Sequence, residues 1–341
     1  MSKEGHKHLL TLHVNLCSFL FSARPFSLME AENRTRVREF LFLGFSSYAG
    51  HQASLFLLFL TAYSATVTGN LLILLLISLD SRLHSPMYFF IGQLSCLDIC
   101  LSSVVVPKIL VNFLRRRHSI SYGQCLAQTF FLVGFAGCEP ALLAVMAFDR
   151  YAAICQPLRY ASLMSHRACR GLVVATWAWG FLDAAVHACL TSTLSFCGVN
   201  QIPHIFCDVP PLLKIACSDT HANELTNHIT SIFVGLGPLM FIFISYCCIL
   251  SSILQIRSGT GWRKALSTCA SHLIVVNLCL GNAFLNYNRP SAGYSLEVDT
   301  LVSSMFCIVN PMLNPLIYSL RNKEVKAALR KVLNYQGAAS R

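Results

Sequence analysis

Three polar side chains stand inside stretches that are otherwise apolar: Asp98, Glu139 and Asn314. An ionisable group at membrane depth is costly, so its presence points to function. At the helical rise of 1.5 Å per residue, Asp98 lies ~18 Å from the inner end of its stretch, Glu139 ~15 Å and Asn314 ~10 Å. Two carboxylates and an amide at similar depth can bind a cation such as Na⁺, share a proton, or hold a water network. They can equally form a closed polar network with no exchangeable ion. Asp183 sits nearer the outer end of its own stretch, where it contacts a ligand or hydrogen-bonds a neighbouring helix.

Two further groups have the makings of a switch. Asp149-Arg150-Tyr151 places an acid beside a guanidinium at the end of an apolar run. Breaking that pair, by protonation or helix movement, frees Arg150 for another partner. Asn314-Pro315-Leu316-Ile317-Tyr318 places a proline where it cannot donate to its i−4 carbonyl, which loosens or kinks a helix. Asn314 can satisfy the freed backbone, and Tyr318 can swing with the kink. No nucleophilic triad, glycine-rich phosphate loop or metal-spaced His/Cys set stands out, so no covalent chemistry, cofactor or metal is expected.

The elements that must hold these residues are membrane helices. Of 341 residues, 55% are hydrophobic and 12% charged, with a mean hydropathy of +0.57. That excludes an ordinary soluble domain and a disordered chain. Seven stretches approach the ~20 apolar residues a spanning helix needs: 55–79, 86–110, 124–154, 171–190, 225–253, 265–286 and 298–320. None repeats another, which argues against the two-half symmetry of many transporters. The net charge of +11 reads as basic loops on one membrane face rather than nucleic-acid binding. Placing the N-terminus outside leaves 14 Lys/Arg and three acids inside, against 12 and nine outside. The Asn33-Arg34-Thr35 sequon suits that orientation, because glycosylation occurs on lumenal chain. Residues 1–28 carry early lysines and an apolar run, and read either as an upstream extension or as a weak signal peptide. Residues 29–54 would be extracellular, 55–320 the seven-span domain, and 321–341 a cytoplasmic tail. In that tail, 322–333 sets Val325, Ala328, Leu329 and Val332 on one helical face, as in an amphipathic helix lying on membrane lipid. Cys125, Cys197, Cys207 and Cys217 face an oxidising compartment, and four cysteines allow three connectivities. Most of the other cysteines read as small packing residues within spans.

At these residues the chain resembles the odorant (olfactory) receptors, a branch of the rhodopsin-like G-protein-coupled receptors. The resemblance runs from about Asn33 to Leu329 and rests on long motifs: Pro86-Met87-Tyr88-Phe89-Phe90, then 146–155 around Asp149-Arg150-Tyr151, then Lys264-Ala265-Leu266-Ser267-Thr268-Cys269 with Ala270-Ser271-His272, and finally 311–322 around Asn314-Pro315. It implies an all-α seven-helix membrane bundle with a short eighth helix on the inner face. It implies disulfides Cys125–Cys207 and Cys197–Cys217, an ion or water site at Asp98 and Glu139, and a G-protein switch of Asp149, Arg150, Tyr151, Asn314, Pro315 and Tyr318. A chain start at Met29 also resembles the family. By helix depth, the ligand pocket would draw on Leu132, Val133, Ala136 and Gly137; on Thr230, Ser231 and Val234; on Leu280, Ala283, Phe284 and Tyr287; and on Ser304 and Cys307. Such a lining suits a small, weakly polar, uncharged volatile. One departure concerns the pocket: Leu280 stands where the family usually has a tyrosine that helps transmit activation. Phe148 and Ala152 are milder departures.

The expectation is therefore an odorant receptor at the plasma membrane, in cilia of olfactory sensory neurons. It would bind small volatiles and activate a stimulatory olfactory-type G protein that raises cyclic AMP. It would not be an enzyme. Rival readings are a receptor for a non-odorant metabolite, a carrier using Asp98 and Glu139, and a receptor-like chain that does not signal.

Overall fold

A backbone in hydrocarbon must satisfy its own polar groups, so each long apolar stretch closes its hydrogen bonds as a helix. The structure is a computed structural model that describes residues 37–44, 50–115, 117–197, 200–254, 269–282, 296–321 and 323–339. The expected leader at 1–28, the sequon at Asn33 and the pocket positions Ala283, Phe284 and Tyr287 lie outside the described residues. Among the described residues, six helices are long and apolar enough to cross a membrane. They are α1 (Gln52–Leu79), α2 (Pro86–Leu114), α3 (Tyr122–Cys155), α4 (His166–Ser192), α5 (His221–Leu254) and α7, which runs unbroken through Leu296–Ser304, Met305–Val309 and Asn310–Arg321. Between α5 and α7, the apolar helix α6 (Cys269–Asn282) covers the central part of the stretch expected at 265–286. The fold is the all-α seven-helix membrane bundle, followed by α8 (Lys323–Ala339).

Several helices begin earlier or end later than hydropathy alone suggests, and local chemistry explains where they start. The Ser121 hydroxyl accepts a hydrogen bond from the Gln124 N–H at 3.3 Å, so α3 starts at Tyr122 rather than 124. The Ser165 hydroxyl does the same for the Ala168 N–H at 3.4 Å, which carries α4 back to His166. Pro86 opens α2 at a position where its missing N–H costs nothing. Pro107, Pro140 and Pro315 lie within α2, α3 and α7. Bundle neighbours make such interior prolines tolerable in a membrane.

α3 is the axis of the bundle. In its most apolar window 72% of residues are buried, against 17% in α5. It packs on α2, α4 and α5. The α3–α4 seam depends on small residues. A Cβ added at Gly180 would stand 2.5 Å from both Cys138 Sγ and the Gly134 carbonyl oxygen. Only glycine lets the two backbones come this close. Large apolar residues of α1, α4 and α5, among them Leu58, Leu182 and Phe243, point outward, as lipid-facing residues do.

At one end of the bundle a small sheet joins three loops. β1 (Glu39–Phe42) pairs antiparallel with β2 (Ser119–Ser121) and parallel with β3 (Gln201–Ile202), giving the order β2-β1-β3. Phe40 and Phe42 enter the core beneath it. At the other end, α8 turns its Val325 and Ala328 into the bundle, while Lys326, Arg330 and Lys331 are exposed. The apolar stripe expected to meet lipid is thus used in part for docking. Tyr88 of α2 donates to Glu324 at 2.7 Å across that contact.

Candidate ligand cavity and switch

The helices form a half-open cavity of about 140 Å³ along the seam between α4 and α5. From α3 come Val133, Ala136, Gly137 and Pro140, and from α4 Asp183 and His187. α5 supplies Asn227, Thr230, Ser231, Ile232, Val234, Gly235, Leu236 and Leu239. Val209, Leu280 and Phe306 complete the wall. The walls are mostly apolar, with five polar side chains on the α4 and α5 sides. A π-helical stretch at Ile232–Leu236 lies in the α5 wall, a local irregularity often found where a helix serves a site.

Of the pocket positions expected from sequence, Val133, Ala136, Gly137, Thr230, Ser231, Val234 and Leu280 stand on this wall. Leu132 is instead packed in the core, 1% exposed. Ser304 bonds to the Thr300 carbonyl within α7 at 2.7 Å, and Cys307 is buried beside Phe306, which does reach the cavity. Asp183, expected from sequence to meet a ligand or a neighbouring helix, lines the cavity, and His187 and Asn227, which sequence did not single out, stand beside it. A signal for His187 was present in the sequence, as Asp183 and His187 are spaced i, i+4 and share one face of α4.

Deeper in the bundle, the Asn314 amide donates to both Asp98 carboxylate oxygens at 3.0 and 3.1 Å. Asp98 and Glu139 are 1% and 2% exposed. No hydrogen bond satisfies either Glu139 oxygen among the described residues, although Cys279 and Asn314 lie beside it. The three residues singled out by depth are thus neighbours on α2, α3 and α7. Asn70 ties α1 to α7 through the Pro311 carbonyl at 3.1 Å. Asn310 ties α7 to α6 by accepting from Asn282 at 2.8 Å and donating to the Leu278 carbonyl at 3.2 Å. A helix junction rich in polar bonds can exchange partners when helices slide.

At the end of α3, Arg150 folds back on Asp149, its Nε 3.0 Å from Asp149 Oδ2. The same carboxylate accepts from the Tyr160 hydroxyl at 2.8 Å through Oδ1. Tyr160 opens the short helix Tyr160–Leu163 in the loop to α4, so the loop clamps the pair. Its phenol is held well above the usual tyrosine range, first by burial and then by the Asp149 charge. Asp149 is fully buried, and the Arg150 side chain is 15% exposed. Beside it, His272 of α6 accepts from the Tyr246 hydroxyl of α5 through Nδ1 at 2.8 Å, and its Nε2–H donates to the Leu143 carbonyl of α3 at 3.1 Å. One side chain therefore joins α3, α5 and α6 near the Asp149–Arg150 pair. Pro315 touches α1 at Gly69, and Tyr318 is buried next to this region.

At the opposite end, Cys125 of α3 is bonded to Cys207, and Cys197 to Cys217, with Cα separations of 5.5 and 5.8 Å. The first bond pins the long loop after α4 over the bundle. The Gln128 side chain reinforces it by accepting from the Cys207 N–H at 2.9 Å.

A seven-helix bundle with a cavity between its helices, a disulfide-pinned loop over one end and a clamped acid–guanidinium pair at the other defines a membrane receptor of the rhodopsin-like, G-protein-coupled class. Within that class the chain belongs to the olfactory receptor family, which its residues 59–336 match. It is 48% identical to mouse olfactory receptor 5AP2 over 306 residues, covering 90% of this chain and 96% of the relative. It is 48% identical to gorilla olfactory receptor 1G1 over 305 residues, covering 89% and 97%. Human olfactory receptor 5AP2 is 47% identical over 305 residues, covering 89% and 96%. The chain is accordingly a multi-pass plasma-membrane receptor of the odorant class and not an enzyme.

Proposed function

We propose that this receptor binds small volatile organic molecules in the α4–α5 cavity and activates a stimulatory olfactory-type G protein, raising cyclic AMP. The observation that carries the reading is that one helix, α3, lines the cavity with Val133, Ala136 and Gly137 and ends in the Asp149–Arg150 pair. A ligand that shifts α3 against α5 and α6 acts on the His272 junction and the Tyr160 clamp together. A ligand shifts this equilibrium only by its difference in affinity for the two conformers. In this reading Asn33 is glycosylated, the N-terminus and the disulfides face outside, and α8 lies against inner-leaflet lipid in the ciliary membrane. Asp98, Glu139 and Asn314 form an ion or water site that rearranges during activation. The orphaned Glu139 oxygens favour an exchangeable occupant over a closed network.

The test is cyclic AMP in cells displaying the chain at their surface, across a broad volatile panel, with Arg150→Ala in parallel. A dose-dependent rise lost in the variant is expected. Silence despite confirmed display across the panel would overturn the reading. The position of Leu280 on the cavity wall supports a second reading, a receptor that binds but transmits weakly.

A further inference from the structure

The α4 wall of the cavity carries a feature that an uncharged ligand leaves unused. Asp183 lines the cavity with its side chain only 12% exposed. Its neighbour one turn on, His187, is 5% exposed and points the same way. The His187 Nε2 atom lies 3.0 Å from the Thr230 hydroxyl, which lies 3.4 Å from the Asn227 carbonyl. The same Nε2 is 3.7 Å from Asp183 Oδ1, beyond hydrogen-bond reach. The Asp183 carboxylate has no hydrogen-bond partner among the described residues, and Asp183 is part of the cavity lining.

A carboxylate inside apolar walls is costly without an opposite charge or donors. A ligand can supply both in one group. We propose that the cavity recognises a small protonated amine, its ammonium hydrogen-bonded to Asp183 and its hydrocarbon part against Val133, Ala136 and Leu280. This rests on the receptor reading above and replaces the uncharged ligand expected from sequence. The cavity volume sets the size. An engineered cavity of about 150 Å³ takes benzene, so a ligand of about six to eight non-hydrogen atoms fits here. An alcohol of the same shape offers one hydrogen bond but leaves the charge uncompensated. If His187 were the protonated partner, the site would be neutral overall, and alcohol and amine would bind alike.

The experiment measures direct binding by saturation-transfer NMR on the full-length receptor in lipid nanodiscs, with cyclic AMP in displaying cells as a separate readout. The probes are n-pentylamine, cyclohexylamine and benzylamine, each beside its alcohol (1-pentanol, cyclohexanol, benzyl alcohol) and a hydrocarbon of matched shape (hexane, methylcyclohexane, ethylbenzene). At least one amine should bind about 30-fold or more tightly than its alcohol, a factor in line with a desolvated charge pair. Asp183→Asn should remove that advantage, while Asp183→Glu should keep most of it. The ligand series on the unaltered receptor stands even if a variant fails to reach the surface. No amine binding, equal binding of amine and alcohol, or an advantage that survives Asp183→Asn would each overturn the inference. Amine binding without any cyclic AMP would sustain the inference and count against the signalling reading. Cyclic AMP rises to other volatiles with no amine binding would do the reverse.

Discussion

Tyr160 shows how much can depend on a single hydroxyl. It lies in the connection between α3 and α4, outside the stretches singled out from sequence, yet it donates at 2.8 Å to the buried acid that holds Arg150. A hydrogen bond to a charged group is worth about 1.5–3 kcal/mol. Tyr160→Phe should therefore loosen the pair and raise ligand-free cyclic AMP several-fold at unchanged surface display. Unchanged basal cyclic AMP would show that the clamp does not restrain the switch. Leu280 is the second such residue. On the cavity wall it packs but cannot hydrogen-bond, and Leu280→Tyr should raise the maximal response to a given ligand. An unaltered maximum with an altered half-maximal dose would assign Leu280 to binding rather than transmission. The motif residues were legible from sequence because each joins unusual chemistry to a helix end or a membrane depth. Tyr160 was not, since a tyrosine in a loop carries no such signal.

At the scale of elements, the α3–α4 seam sets the shape of the cavity. Gly180 has no room for a Cβ, whereas Gly171 on the same helix has none of its surroundings within 4 Å. Gly180→Leu should force the helices apart, cost about 1–3 kcal/mol or more, and abolish surface display. Gly171→Leu should be displayed normally. Equal display of the two variants, by flow cytometry on an epitope tag, would contradict the seam. The docking of α8 makes a second case. Asp80, in the turn between α1 and α2, is bonded by Arg82 through Nε at 3.0 Å and Nη2 at 2.6 Å. That guanidinium holds the Asp80 carboxyl well below its ordinary value of 3.8. A depressed folded value means that the stabilising contribution is present above pH 3.8 and fades only as pH falls further. The turn beside α8 should keep its contacts from neutral pH down to that value, as hydrogen exchange of the α8 amides would register. Helix positions were readable from hydropathy to within about a turn. The starts of α3 and α4 were set by Ser121 and Ser165, caps that hydropathy does not see.

For the whole molecule, the Cys125–Cys207 bond spans 82 residues and ties the loop above the cavity to the axis of the bundle. Its removal by Cys125→Ser should cost about 2–5 kcal/mol and sharply reduce the displayed fraction that withstands mild heating in detergent. Cys197→Ser, which opens a separation of 20 residues within one loop, should cost less. Equal losses would mean that the first bond does not organise the bundle. The sequence by itself determined the membrane class, the apolar spans and, through resemblance, the family. It did so because apolar length and rare intramembrane charges are local properties. Only the tertiary structure decided which faces of those helices meet. Lipid and bundle interior are both apolar, so hydropathy places a span without fixing its rotation. Close approach at Gly180 and packing on α3 fix that rotation, and they bring Asp183 and His187 onto the cavity wall while turning Leu132 into the core.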